Sequence, residues 1–129
     1  LTMTGELRKT SDVLLLLTLA GIPDENGSLL SDKEGIPLVA KAFGKPVIGV
    51  SAFQSRYGAL CTVLNSGQEQ GGTAAKMLLK AMKGTPVSDI QITRNYNGKR
   101  VINVTVLKSL GIRPASLVLR GAELVKTEK

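Results

Sequence analysis

The chain contains no histidine, no tryptophan and one cysteine, and aromatic residues make up only 3% of its 129 residues. Because histidine is the usual general base near neutral pH and the commonest zinc ligand, its absence argues against Ser-His-Asp catalysis and against a zinc site. Cys61 has no partner for an internal disulfide, and its apolar neighbours indicate a small buried side chain rather than a nucleophile. We therefore expect no catalytic residue, no metal site and no cofactor, and we predict that the protein is not an enzyme.

Long apolar runs are also missing from this sequence. The longest run, Val13–Ala20, has the length of a strand and falls short of the roughly 18–20 apolar residues that span a membrane. The first nine residues show neither the apolar core nor the cleavage site of a signal peptide, so we expect no signal peptide in this chain. The sequence begins with Leu1 rather than methionine, which is consistent with a fragment or a processed form of a longer protein.

Positive charge exceeds negative charge, with 17 Lys and Arg against 10 Asp and Glu and a formal net charge of +7. The basic residues are spread along the chain, and the tightest set, Lys76, Lys80 and Lys83, has the spacing of one solvated helix face. The four aromatic side chains (2 Tyr and 2 Phe) form no stacking platform for single-stranded nucleic acid. We therefore predict that nucleic acid is not a partner.

Three apolar runs that each end in a polar cluster are the main positive signal. Residues 12–20 lead into the turn-rich segment 21–27, residues 45–50 into 51–55, and residues 58–64 into 65–68. Short apolar runs separated by helical segments are typical of buried parallel strands, and 43% apolar residues are enough for a core. The length fits a single domain over residues 1–129. The pattern predicts an α/β fold with a mostly parallel sheet between helical layers.

The predicted elements follow from this pattern and from their end signals. Ser31 and Glu34 have the spacing of a capping box, but Gly35 and Pro37 favour a helix that starts near Gly35. Asn97-Gly98 between two alternating segments predicts a β-hairpin near residues 90–104. Asn103 is a candidate N-cap for the next helix. The predicted strands are 13–19, 46–50, 59–64 and a final strand or helical turn at 122–125, and the predicted helices are 35–43, 69–82, 104–110 and 114–119.

The polar residues that follow the three runs form the candidate binding site. In an open parallel sheet, ligands bind beyond the carboxyl ends of the strands, where we expect these segments to meet. Each segment also has a simpler interpretation, as a self-solvating turn, an ordinary polar loop or a helix N-cap. The candidate ligand-binding residues are Asp24, Glu25, Asn26, Ser51, Phe53, Gln54, Asn65, Ser66, Gly67 and Gln68.

The chemistry of this set suits a small solute such as an amino acid. Asp24 or Glu25 would bind an ammonium group, and the N terminus of the helix near Glu69 would bind a carboxylate. Nucleotide binding is disfavoured, because Gly67 to Thr73 lacks the Gly-Lys-Ser/Thr ending of a phosphate-binding loop. A response-regulator receiver is disfavoured too, because Asp12 stands before the first strand and the second strand ends in Ser51.

Several short motifs stand in one order along residues 12–125. They are Pro23-Asp24, Lys45 to Ser51, Gly58-Ala59-Leu60, Gly71 to Met77, Lys83-Gly84-Thr85-Pro86, Ile102-Asn103-Val104, and Leu110-Gly111-Ile112 with Pro114. This set resembles the C-terminal half of ABC-transporter substrate-binding proteins of the type-I periplasmic-binding-protein kind, in a family that includes tryptophan/tyrosine-type uptake proteins. The resemblance implies one Rossmann-like lobe of a two-lobed protein that closes around a solute and delivers it to a membrane permease.

The resemblance also implies a periplasmic or extracellular location and ligand contacts in the loops that contain Asp24, Ser51 and Gln68. It places the segment around Asn103 near the hinge, so residues 103–129 are a candidate hinge or other-lobe segment. The loop 65–70 lacks the aromatic residues often present there in this family, and Phe53 and Tyr57 are the aromatic residues near the predicted site. Two alternatives remain: an extracytoplasmic sensor module of a signalling protein, and a lobe that forms a homodimer through its exposed cleft face.

Overall fold

The computed structural model describes residues 2–19, 21–94 and 96–128. Its elements alternate between strands and helices, as the apolar runs predict. The strands are β1 (Leu14–Leu16), β2 (Val47–Gly49), β3 (Cys61–Asn65), β4 (Gly98–Asn103) and β5 (Glu123–Val125). The helices are α1 (Thr2–Thr10), α2 (Asp32–Phe43), α3 (Ala52–Tyr57), α4 (Gly67–Met82), α5 (Val104–Ser109) and α6 (Ser116–Leu119), with a short 3₁₀ helix at Val87–Asp89.

The strands form one sheet in the order β1-β2-β3-β4-β5. β1 pairs in parallel with β2, with Leu14 opposite Val47, and β2 pairs in parallel with β3, with Gly49 opposite Thr62. β4 pairs in parallel with β5. The predicted α/β fold with a mostly parallel, helix-flanked sheet is therefore confirmed.

The aliphatic core lies between β1, β2 and α2. Ile36 and Phe43 of α2 are fully buried and pack with Leu16, Val47 and Ala59. The burial of each apolar side chain of this size contributes about 1.5–3 kcal/mol to the stability of the folded state. The strands and α2 thus hold the segments that follow β1 and β2 at one edge of the sheet.

Helix α2 begins earlier than its glycine and proline suggest. Ser31 is its N-cap, and the Glu34 carboxylate accepts hydrogen bonds from the Ser31 backbone N–H at 3.0 Å and from the Ser31 hydroxyl at 2.6 Å. The helix ends at Phe43, and Gly44, which has φ 64°, serves as its C-cap. The capping contacts outweigh the weak helix preference of Gly35, so the predicted start near Gly35 is wrong and the predicted end at Phe43 is confirmed.

The predicted β-hairpin near residues 90–104 is wrong. Residues 90–94 and 96–97 contain no strand, Asn95 lies outside the described residues, and β4 pairs in parallel with β5. The Glu69 carboxylate accepts hydrogen bonds from the backbone N–H of Tyr96 at 2.8 Å and of Asn97 at 3.0 Å. The Asn97-Gly98 signal fails because these donors bond to a helix side chain instead of a neighbouring strand.

The chain divides into two compact units, one formed by residues 1–63 with 100–129 and the other by residues 64–99. The first unit contains β1, β2, the helices α1–α3, α5 and α6, and β5, and the second contains α4 and the 3₁₀ helix. The organisation of residues 1–129 as one lobe, with a hinge or other-lobe segment at 103–129, stays a prediction. Across the parts of the chain that the structure describes, no helix combines the length and the apolar character needed to cross a membrane.

Candidate functional site

The segment after β1 carries Asp24 in a tight turn. Its Oδ1 accepts hydrogen bonds from the backbone N–H of Asn26 at 2.8 Å and of Ser28 at 2.9 Å, and an isolated antiparallel bridge joins Pro23 to Leu29. These bonds fix the turn locally, as expected for an aspartate at such a position. The turn uses Oδ1 of Asp24, and the residue remains partly exposed to solvent.

Asp24 and Glu25 line a cavity of about 620 Å³ in the first unit. Its walls are mostly apolar side chains from α1, β1 and α2, among them Leu7, Leu16 and Leu38. A mostly apolar cavity with few polar groups is typical of small-molecule sites. Ser51 and Phe53 are not among its lining residues, so the structure does not bring them into one cavity with Asp24.

The segment after β2 forms helix α3, where the sequence indicated only a polar loop. Ser51 is the N-cap of this helix, and Phe53 lies in its first turn with 40% of its surface exposed. The Phe53 ring lies 6.0 Å from the Tyr57 ring at an angle of 48°. Phe53 therefore presents an aromatic surface to solvent beside the carboxyl end of β2.

The Gln54 side chain is buried and hydrogen-bonded to three backbone groups. Its side chain is 1% exposed, Oε1 accepts hydrogen bonds from the N–H of Val50 at 2.6 Å and of Ser51 at 2.9 Å, and Nε2 donates to the Leu17 carbonyl at 3.0 Å. With these bonds the side chain links the ends of β1 and β2. Direct ligand contact by Gln54 stays a prediction.

Residues Asn65, Ser66, Gly67 and Gln68 belong to the second unit. Ser66 is the N-cap of α4, and its hydroxyl oxygen accepts a hydrogen bond from the Glu69 N–H at 3.3 Å and donates to Gln68 Oε1 at 3.0 Å. The predicted N-cap role of Ser66 is confirmed. That these residues join Asp24 and Ser51 around one ligand stays a prediction.

Among the described residues of the first unit, four polar residues are buried: Gln54 and Ser55 in α3, Thr62 in the first half of β3, and Asn103 at the carboxyl end of β4. The Ser55 hydroxyl lies 3.4 Å from that of Thr62, and Asn103 Nδ2 donates to the Ser55 carbonyl at 2.6 Å and to Thr127 Oγ1 at 2.8 Å. Asn103 Oδ1 caps α5 by accepting from Thr105 and Val106 N–H, which confirms its predicted cap. No local pattern indicates the other two bonds of Asn103, because Ser55 and Thr127 lie 48 and 24 residues away along the chain.

Among the described residues, Cys61 and Glu34 have shifted pKa values. Burial raises the pKa of the Cys61 thiol above its usual value. Hydrogen bonds from the Ser31 hydroxyl and backbone N–H lower the pKa of Glu34. Within residues 2–19, 21–94 and 96–128, no group of three or more His, Cys, Asp or Glu side chains is placed to hold a metal ion.

Solved structures share this fold. The chain is 24% identical to a substrate-binding protein with adhesive properties from Clostridium difficile in its ligand-free, open structure, with a TM-score of 0.73 over 98% of this chain and 40% of that chain. A conserved domain protein from Vibrio cholerae is 22% identical, with a TM-score of 0.66 over 97% and 40%. An ABC domain from Streptococcus pneumoniae, in complex with L-Trp, is also 22% identical, with a TM-score of 0.63 over 96% and 41%.

The chain thus spans about 40% of the length of the solved proteins that it resembles. No curated protein matches the sequence. The family model described as ABC transporter substrate binding protein matches residues 24–126, which is most of the chain and includes all ten candidate site residues. The chain belongs to the ABC transporter substrate binding protein family.

Proposed function

We propose that this chain binds a small solute, without catalysis, as part of the substrate-binding protein of an ABC importer. The observation that carries the proposal is the family match over residues 24–126. The mostly apolar cavity of about 620 Å³ beside Asp24 and Glu25 is large enough for a small organic solute. The candidate sensor module of a signalling protein is not favoured, because the matching family is one of transport proteins.

An amino acid is the solute class that we propose. The carboxylates of Asp24 and Glu25 supply negative charge for a ligand ammonium group, and the exposed Phe53 ring supplies an apolar surface. The similar domain from Streptococcus pneumoniae binds L-Trp, which makes aromatic amino acids the first solutes to test.

The N terminus of α4 has the features of a carboxylate-binding group within the second unit. Helix α4 has 16 residues, and the N–H groups of its first turn together with its dipole favour a negative charge at that end. We assign to Asn65, Ser66, Gly67 and Gln68 the role of binding the ligand carboxylate.

The proposal includes two partners beyond the solute. The whole protein would deliver its solute to an ABC permease in the membrane and would work on the periplasmic or extracellular side, as members of a substrate-binding family do.

Homodimerisation of the isolated chain is a separate expectation. Light scattering coupled to size exclusion tests it, with a monomer mass of 13.6 kDa as the result that would contradict it.

A thermal-shift screen of the chain against amino acids, short peptides, sugars and nucleotides tests the solute. A ligand at 100 times its dissociation constant adds about 2.7 kcal/mol to the free energy of unfolding, which shifts the melting temperature of a small domain by several degrees. We expect L-tryptophan or another amino acid to produce the shift. A shift with nucleotides alone, or no shift with any solute, would contradict the proposal.

Asp24→Asn is the variant that separates charge from turn structure. Asparagine keeps the acceptor that Asn26 and Ser28 require, so the turn should persist while the ligand ammonium loses its counter-charge. We expect an affinity for the amino acid at least about tenfold lower by calorimetric titration, consistent with the loss of one charge-assisted bond. Asp89→Asn makes the same chemical change outside the candidate set and should leave the affinity unchanged.

A further inference from the structure

The buried polar residues of the first unit form a row across α3, β3 and the carboxyl end of β4. We call Gln54, Ser55, Thr62 and Asn103 the buried polar row; each is 0–1% exposed. At one end Gln54 bonds the Leu17 carbonyl after β1, and at the other end Asn103 bonds the Thr127 hydroxyl after β5. The two halves meet at Gln54 and Ser55, which are neighbours in the chain. Buried side-chain amides and hydroxyls are costly unless they are hydrogen-bonded, so a row of this kind fixes the groups that it bonds.

Gln54 forms the β1 end of the row. It joins the carbonyl of Leu17 to the N–H groups of Val50 and Ser51, which belong to the segments that carry Asp24 and Phe53. The fit is tight, because a Cβ at Gly49 would lie 2.5 Å from Gln54 Oε1. The Gln54 side chain therefore links the two segments beyond the parallel pairing of β1 with β2.

Asn103 forms the other end of the row. Its Nδ2 bonds the Ser55 carbonyl of α3 and the Thr127 hydroxyl, and its Oδ1 caps α5. A second link joins the same parts, because the Glu128 N–H donates to the Arg56 carbonyl at 2.8 Å. Helix α3 is thus bonded on one side to the end of β1 and on the other to the segment after β5.

We infer that Gln54 and Asn103 are positioning residues, which hold the segments after β1 and β2 in the geometry that a solute requires without touching the solute themselves. This inference rests on the proposed function for its purpose, but the geometry exists without a ligand. An apolar row of the same volume would pack as well; the amides add directional bonds that specify one arrangement of the strand ends.

Amide exchange in the wild-type chain gives the first measurement. The N–H groups of Val50 and Ser51 lie just after a three-residue strand, and Gln54 is the acceptor of both. We expect them to exchange as slowly as the N–H of Asn103, which bonds the Leu60 carbonyl inside the sheet. Exchange of Val50 and Ser51 at the rate of exposed loop amides would overturn the inference, whatever any variant does.

Gln54→Glu and Asn103→Asp each keep the acceptor oxygen and remove the donor. In Gln54→Glu the amides of Val50 and Ser51 should stay protected, while Ile22 and Leu30, whose N–H groups bond within the segment after β1, exchange about tenfold faster because one restraining hydrogen bond is lost. In Asn103→Asp the α5 amides Thr105 and Val106 should stay protected, while Glu128 exchanges faster. Gln91→Glu, at an exposed position, should change none of these rates.

The split between protected and released amides distinguishes positioning from general stabilisation. A merely structural role would accelerate exchange throughout the first unit, and this uniform result, or no change at all, would overturn the inference. Titration of the same proteins with L-tryptophan separates the two proposals. If the variants show the exchange split and the wild-type chain does not respond to L-tryptophan, the positioning role is retained and L-tryptophan as the solute is contradicted. L-tryptophan binding that is unaffected in both variants contradicts positioning.

Discussion

At Gly49 the backbone and a side chain approach more closely than any other residue would allow. A Cβ built there would lie 2.5 Å from Gln54 Oε1, 2.8 Å from Thr62 Cγ2 and 2.9 Å from Gln54 Cβ. Two of these atoms belong to a side chain that is held by three backbone groups, so it has no room to move aside. The glycine is therefore required by the packing of the buried polar row.

We predict that Gly49→Ala lowers the free energy of unfolding by about 1–3 kcal/mol, the usual cost of overpacking a filled site. Urea denaturation followed by circular dichroism measures this. The matched control is Gly71→Ala in α4, where a Cβ meets nothing within 4 Å and alanine should instead favour the helix by about 0.5–1 kcal/mol. Equal effects of the two substitutions would contradict the packing argument.

Cys61 provides a second test at the scale of one residue. Burial raises the pKa of its thiol, so the reactive thiolate is a smaller fraction of the folded chain than of the unfolded chain at pH 8. We predict that iodoacetamide labels the folded protein more slowly than free cysteine, and that denaturant removes the difference. Labelling of the native chain at the rate of free cysteine would show that the thiol is exposed.

At the scale of elements, α2 shows how end contacts decide where a helix begins. The Glu34 carboxylate reaches back to the N-cap Ser31, and these hydrogen bonds lower its pKa. A group whose pKa is lower in the folded state contributes stability above its unfolded pKa and loses that contribution as the pH falls through its folded pKa. The effect is small, because the Glu34 carboxylate is exposed to solvent and screened.

We predict that Glu34→Gln leaves stability at pH 7 little changed, because glutamine also completes a capping box. As the pH falls below 4.5, the ordinary pKa of glutamate, the variant should however lose less stability than the wild-type chain. Thermal melts at pH 7, 4 and 3 measure the difference. Parallel pH profiles of the two proteins would show that the Ser31 contacts do not affect the titration of Glu34.

The elements also show where sequence patterns succeed. Apolar runs predicted β1, β2 and β3, and glycine and asparagine signals predicted the end of α2 and the cap of α5. The α3 helix was missed because only six residues form it, and one of them, Gln54, bonds a strand far away in sequence. The hairpin failed for a similar reason, since Glu69 takes the N–H groups of the predicted turn.

At the scale of the whole molecule, the two compact units differ in how their helices are buried. Helix α4 of the second unit has no buried residue, whereas α2 of the first unit buries Gly35, Ile36 and Phe43. Helical amides are protected mainly by packing of one face against a core, so the free energy of local opening should be lower in α4.

We predict that hydrogen exchange measured by mass spectrometry is faster in α4 than in α2. Peptides that cover residues 67–82 and 32–43 give the comparison directly. An amino acid solute that binds the N terminus of α4 should slow exchange in its first turn. Equal protection of the two helices in the free chain would contradict the difference in burial.

The sequence by itself determined the α/β class, the aliphatic core and the position of polar segments after strands, since these depend on local periodicity and on which residues favour turns. It also carried the motifs of its family. Only the tertiary structure decided that Gln54 is buried, that Asn103 bonds α3, and that Asp24 shares a cavity with α1 and α2. The physical reason is distance along the chain: hydrogen bonds and cavities join residues that no local pattern relates.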